Sequence, residues 1–266
     1  MLRARIITAL LLLPLVFGGI YLLALPHFAL LFGVIVLLGA WEWSALGGLD
    51  RPLARGGYVV LLALAMGALW QMPAAHEGVL GLGSLVWLMA IALVIVYPSG
   101  RRWLSGPSVL LQGIVLLMAA WLALVTIRAQ ANGAHWLVWL FLLVWGADIG
   151  GYFAGRRFGR RKLAPAVSPG KTWAGAVGGL GLAALVTLAP LAWLGRPVLA
   201  WLPLVVALVV LSIFGDLYES ALKRQRGVKD SGTLLPGHGG VLDRVDALLA
   251  ALPAFAWLTA RGLLPA

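Results

Sequence analysis

Apolar residues run through this chain in long blocks, each closed by a short polar or Gly/Pro stretch. The hydrocarbon layer of a bilayer is about 30 Å thick, and about 20 helical residues cross it. Nine blocks qualify: 6–25, 28–46, 57–73, 79–97, 107–127, 134–154, 173–194, 198–215 and 242–262. The breaks carry helix-ending chemistry, at Pro26-His27, Gly47-Gly48, Pro73, Pro98-Ser99-Gly100, Asn132-Gly133 and Arg196-Pro197. The pattern predicts an all-α, polytopic integral membrane protein with about nine transmembrane helices. The first 25 residues begin basic and turn apolar, as a signal peptide does, but no A-x-A-like site follows, so a retained first helix is expected. Gly151/Gly155 and Gly175/Gly179 have the spacing that lets helix backbones approach closely, and packing is their expected use.

Orientation follows from the cations. With the N-terminus inside and sides alternating, Arg3, Arg5, Arg51, Arg55, Arg101, Arg102, Arg156, Arg157, Arg160, Arg161, Lys162, Lys171, Lys223, Arg224, Arg226, Lys229 and Arg244 all fall inside. Only Arg128, Arg196 and Arg261 fall outside. This is a strong positive-inside bias and predicts N-in, C-out.

Composition agrees. The 266 residues are 62% hydrophobic and 11% charged, where soluble domains are about 45–50% apolar and about 25% charged. The net charge of +11 would point to nucleic acid in a soluble protein. In so apolar a chain it indicates basic loops at a membrane surface and anionic partners, not nucleic acid. The absence of cysteine excludes disulfides and thiolate metal sites. Sixteen arginines against four lysines suggest a GC-rich bacterial genome and hence the inner membrane, by association only.

The acids are not scattered. Asp148 lies in the inner half of the sixth block, Asp216 and Glu219 at the inner end of the eighth, Asp243 and Asp246 at the start of the ninth, with Asp230 between. An ionisable group inside a span is costly and is by default a functional hypothesis. Asp243 and Asp246 are i, i+3 on one helix face, and Asp216, Glu219 and Ser220 share another. Together they would form an oxygen-rich cluster suited to Mg²⁺. The charges alone equally allow simple neutralisation of Lys223, Arg224 and Lys229.

Two polar segments stand out. In 155–172, Gly170-Lys171-Thr172 looks like the end of a phosphate-binding P-loop, but Pro165 occupies a position where that motif needs glycine. A lysine with Ser168 and Thr172 at a helix start still favours an anion, and a basic surface loop with a helix cap is the plainer reading. The stretch 212–246 contains Lys223, Lys229 and a turn, Pro236-Gly237-His238-Gly239-Gly240, in which glycines would let the backbone approach a ligand closely. All four lysines lie in these two segments, consistent with a point charge needed on phosphate.

Residues 220–246, SALKRQRGVKDSGTLLPGHGGVLDRVD, resemble the signature of the phosphatidate cytidylyltransferase (CDP-diacylglycerol synthase) family. WGADIGGYFAG at 145–155, SPGKTW at 168–173 and Gly215-Asp216-Leu217 with Glu219-Ser220 agree with it, while Ala174 stands where Glu or Gln is common. The N-terminal half is similar only in hydropathy. The resemblance implies transfer of CMP from CTP to phosphatidate, giving CDP-diacylglycerol and pyrophosphate, with Mg²⁺ and room for a second cation. It implies metal ligation by Asp216, Asp243 and Asp246, catalytic support from Lys171, Lys223 and Asp148, and substrate contacts from Ser168, Thr172, Ser220, Arg224, Lys229 and His238. Residues 1–130 then read as an N-terminal transmembrane region. Residues 131–266 read as the catalytic region, with cytoplasmic loops 155–172 and 216–241 and the site on the cytoplasmic side; a homodimer is compatible with this. An ion-coupled transporter would instead place acids near the midplane of repeated halves. A lipid-binding scaffold would leave the clustered aspartates unexplained, and an enzyme exchanging CMP for an alcohol would need an Asp-Gly motif that is absent.

Overall fold

The computed structural model describes residues 2–264, with side chains from residue 10 onward, so the side chains of Arg3 and Arg5 lie outside the described residues. Among the described residues there are nine α-helices: α1 Leu2–Leu22, α2 Leu25–Leu46, α3 Pro52–Trp70, α4 His76–Ile95, α5 Gly106–Ala129, α6 Gly133–Phe158, α7 Trp173–Trp193, α8 Val198–Arg226 and α9 Leu242–Ala260. Seven stretches, those of α2 to α8, are long and apolar enough to cross a membrane. The apolar part of α1 is shorter, and α9 is not in that set. The chain is a polytopic membrane protein. Leu64, Leu85, Leu111 and Leu185 are exposed on the outside of the bundle, as lipid-facing positions require.

Proline at the first or second helical position starts α2, α3 and α5, where its missing N–H has no helical partner to lose. Gly227 ends α8 in the left-handed region at φ 67°, returning N–H bonds to the last turn. Lys223, Arg224 and Arg226 occupy that turn and complement the negative end of the helix dipole.

Two expectations need correction. The loop drawn at 216–241 begins only at residue 227, because α8 continues for another three turns beyond the apolar block. Leu217, Tyr218, Ala221 and Leu222 form a buried stripe there, and Asp216, Ser220 and Lys223 occupy the remaining face. The loop drawn at 155–172 is also partly ordered: α6 runs to Phe158, and β1 (Lys162–Ala164) pairs antiparallel with β2 (Ser168–Thr172), so the fold contains one small hairpin.

The centre is built by α5 and α9, packed against α2, α4 and α8. Trp43, Tyr218, Trp201 and Phe255 are among its largest fully buried side chains. The helices α6 and α7 lie tightly together along glycines: a Cβ on Gly150 would stand 2.5 Å from Gly178 O, and one on Gly179 2.5 Å from Ala147 O. The glycine spacings thus serve backbone approach.

Successive helices run in alternate directions, so residues 47–51, 96–105, 159–172 and 227–241 gather at one end, here the polar end. Contacts across it tie these segments together, as Arg226 to Asp50 at 2.6 Å, Arg101 Nε to Gln225 at 2.9 Å and Arg224 Nε to Val167 O at 3.3 Å.

Candidate active site

Three helices and the hairpin bring charge together at the polar end. Lys171, in β2, pairs with Asp216 of α8 at 2.7 Å, and its Nζ also donates to Ile213 O at 3.3 Å. Ser220, one turn on, donates to the other oxygen of Asp216 at 3.2 Å. Lys223, one turn further, donates to Asp243 Oδ1 at 2.6 Å and stands 3.5 Å from Glu219 Oε2. The carboxyl groups of Glu219 and Asp246 lie within hydrogen-bonding reach of each other, and Asp246 is close enough to Asp216 for their charges to interact. Asp148 of α6 is exposed and feels the charges of Asp216, Lys171 and Arg244. Ion pairs thus join Lys171 to Asp216 and Lys223 to Glu219 and Asp243, with Asp148 and Asp246 near enough for their charges to be felt.

The three aspartates expected as metal ligands are not equivalent. Asp243 is fully engaged: besides Lys223 on Oδ1, its Oδ2 accepts from Ser231 N at 2.9 Å, Ser231 Oγ at 2.9 Å and Gly240 N at 2.8 Å. Among the described residues no group of three His, Asp or Glu side chains makes a ready metal cage. Asp216 and Asp246, by contrast, offer hard oxygen donors near enough for their charges to interact, and buried Glu219 beside them has an ion pair to Lys223 but no hydrogen-bond donor on either oxygen. Mg²⁺ is commonly held by one or two carboxylates with waters and substrate phosphates completing its shell. The donor set fits that pattern better than a three-aspartate cage.

Of the remaining expected residues, Thr172 is the N-cap of α7, its Oγ1 accepting from Gly175 N at 3.1 Å, which is the plainer of the two uses its position allowed. Arg224 binds the hairpin backbone. Ser168 begins β2, and Lys229 is exposed on the 227–241 loop. The His238 carbonyl accepts from Arg244 Nε and Nη2 at 3.1 and 2.6 Å, while its buried Nδ1 has no partner. Among the described residues Ser168, Lys229 and the His238 ring make no hydrogen bond to the carboxylate cluster.

The model of the cytidylyltransferase family matches residues 3–260. The chain belongs to this family. Phosphatidate cytidylyltransferase of Pseudomonas aeruginosa is 47% identical over 266 residues, covering 97% of both chains. The Haemophilus influenzae protein of the same name is 37% identical, over 97% of this chain and 98% of its own. That of Brucella suis is 42% identical over 80% of this chain and 70% of its own. The match to the cytidylyltransferase family runs through both halves of the chain, including the N-terminal helices, where hydropathy alone had suggested likeness.

The N-terminal half also supplies a residue that sequence reasoning passed over. Glu42, in α2, is fully buried and reaches the 227–241 loop, accepting from Leu242 N at 2.8 Å and Ser231 Oγ at 3.3 Å. The available signal was an acid inside an apolar block, between Trp41 and Trp43.

Proposed function

We propose that the chain is a membrane-embedded phosphatidate cytidylyltransferase, transferring CMP from CTP to phosphatidate to give CDP-diacylglycerol and pyrophosphate. The observation that supports this reading is the two ion pairs at the polar end, Lys171–Asp216 and Lys223–Asp243, near enough for Asp216 and Lys223 to act on the charge of Asp246. A phosphate oxygen of phosphatidate attacks the α-phosphorus of CTP, and the bond from that phosphorus to the oxygen bridging the β-phosphate breaks. A phosphate monoester is largely dianionic at neutral pH, so no strong general base is required. The obstacle is the meeting of two anions and the charge that grows on departing pyrophosphate, which fixed cations relieve.

Lys171 is the principal phosphate ligand, moving from Asp216 to the substrate, with Arg224 and Lys229 drawing CTP from the aqueous side. Asp216 and Asp246 would hold Mg²⁺, which supplies charge neutralisation at the phosphates when bound. Glu219 supports that pair, Asp243 holds Lys223 and the loop in place, and Asp148 with Arg244 borders the site on the α6 side. An apolar cavity of about 510 Å³, reaching from Leu12 and Leu31 to His238 and Arg244, offers an acyl chain a place beside the cluster. We place the polar end at the cytoplasmic face of the bacterial inner membrane. All fifteen described basic residues expected inside sit on that end, and Arg128, Arg196 and Arg261 on the other. Acids gathered at one end favour interfacial chemistry over the midplane site of an ion-coupled transporter.

The test is incubation of the purified protein in lipid nanodiscs with CTP labelled in its α-phosphate, phosphatidate and Mg²⁺. The expected outcome is label in a lipid-soluble nucleotide matched by released pyrophosphate. Label that stays entirely water-soluble would overturn the assignment.

A further inference from the structure

The buried Glu42 carboxylate takes no part in the chemistry just described, yet it lies against the loop that carries the signature residues. It belongs to α2, about two hundred positions before its partners. Its Oε2 accepts from Leu242 N, at the very start of α9, at 2.8 Å and from Ser231 Oγ at 3.3 Å. Ser231 uses its N–H and hydroxyl on Asp243 Oδ2 as well, and Gly240 N binds the same atom. Ser231 therefore bridges two carboxylates, and the two carboxylates grip both ends of the segment 231–242. The fit leaves no room: a Cβ on Gly232 or on Gly240 would run into the Glu42 carboxylate. A carboxylate at the first residues of α9 also complements the positive end of that helix.

We infer that Glu42 is a positioning residue, which through Ser231 and the N-terminus of α9 sets the placement of Asp243 and Asp246 for the transfer reaction. The route is contiguous. Asp243 orients Lys223 at 2.6 Å, Lys223 stands beside Glu219, and Glu219 meets Asp246. The burial of this site makes the link costly to lose, because removing the acceptor strands the Leu242 N–H away from water and leaves the Ser231 hydroxyl with Asp243 alone. The N-terminal helices are thereby part of the catalytic apparatus and not only its support in the bilayer. This inference rests on the proposed cytidylyl transfer for its kinetic arm alone.

The test uses the full chain in nanodiscs, with Glu42→Ala, Glu42→Gln and Ser231→Ala compared with wild type by steady-state kinetics, Mg²⁺ activation and amide hydrogen exchange. Loss of a supporting partner of this kind costs about 10- to 100-fold in activity or metal affinity. Glu42→Ala is expected to lose kcat in that range per folded molecule and to need more Mg²⁺ for half-activation. Glu42→Gln, which keeps an acceptor oxygen in place, is expected to recover part of the loss, and Ser231→Ala to shift both quantities in the same direction. Exchange is expected to rise at Ser231, Gly240 and Leu242 and to stay unchanged in α6 and α7. Wild-type kcat and Mg²⁺ response in the folded Glu42→Ala protein would overturn the inference, as would faster exchange spread over all helices. Should wild type show no cytidylyl transfer, the functional reading fails, while the exchange pattern still decides whether the clamp exists.

Discussion

At the end of the bundle that holds residues 23–24, 71–75, 130–132 and 194–197, charge closes off backbone. Arg128 donates to Ile20 O and Leu23 O at 2.8 and 3.1 Å, and Gln130 joins Thr259 at 3.0 Å. Arg261 and Glu77 form an exposed ion pair there, with Arg261 Nε 2.8 Å from the carboxylate. At the polar end the cations instead meet acids that are themselves crowded together, and some buried acceptors, such as both oxygens of Glu219 and one of Glu42, are left without a donor. A buried acid cluster with unmet acceptors is costly to stability, and its persistence at one end only is the mark of groups kept for a charged ligand. The same residue types thus tie helix ends together on one side and hold potential for chemistry on the other.

Substitutions separate the two roles. The largest effect is expected from Asp246→Asn, which removes a charge from the pair assigned to Mg²⁺: turnover is expected to fall by about 10³-fold, equivalent to several kcal/mol of charge stabilisation. Initial rates across a Mg²⁺ titration, on protein shown by gel filtration to be folded, check this; wild-type rates would remove Asp246 from the metal site. Lys171→Ala is expected to lower kcat/KM by about 10²-fold, as removal of one fixed transition-state donor does. An unchanged value would leave Lys171 as a surface charge.

Gly179→Ala is expected to act on folding, not chemistry. Its new methyl would meet the backbone at Ala147 O, and overpacking of this kind costs about 1–3 kcal/mol. Thermal unfolding in detergent reads the loss, and a melting curve identical to wild type would contradict the backbone contact. Arg261→Ala, at the quiet end, is expected to change stability by less than about 1 kcal/mol, since exposed pairs contribute little. Its rate of transfer is expected to match wild type; a large loss of activity would break the distinction between the two ends.

Much of this was legible in the chain itself. Long apolar blocks fell on each of the nine helices of the described residues, but only α2 to α8 are long and apolar enough to cross a membrane, so seven of the nine expected spans are supported. Helix ends were less legible. Averaged hydropathy falls after Ile213 and Phe214, which hid the apolar stripe through Leu217, Tyr218, Ala221 and Leu222 that keeps α8 helical to Arg226. Among the site residues, spacing on a helix face was enough to associate Asp216 with Glu219 and Asp243 with Asp246. It could not tell that Asp243 turns to Lys223, Ser231 and Gly240 while Asp246 turns to Glu219, a choice made by how the 227–241 loop folds back on α9. Nor could it join Glu42 to Leu242, since that contact depends on the packing of helices far apart in sequence. Thr172 had two uses open to it, and the cap is made because Gly175 N lies within reach of its hydroxyl.

The most direct test of the central claim is a double-mutant cycle between Lys171 in the hairpin and Asp216 in α8, read on kcat/KM for CTP. Groups that act as a unit show losses that are far from additive. If both serve one site, the double variant Lys171→Ala/Asp216→Asn is expected to be no slower than the worse of the two single variants. Losses that multiply would mean that the two residues act independently, and the shared site at the polar end would not exist as described.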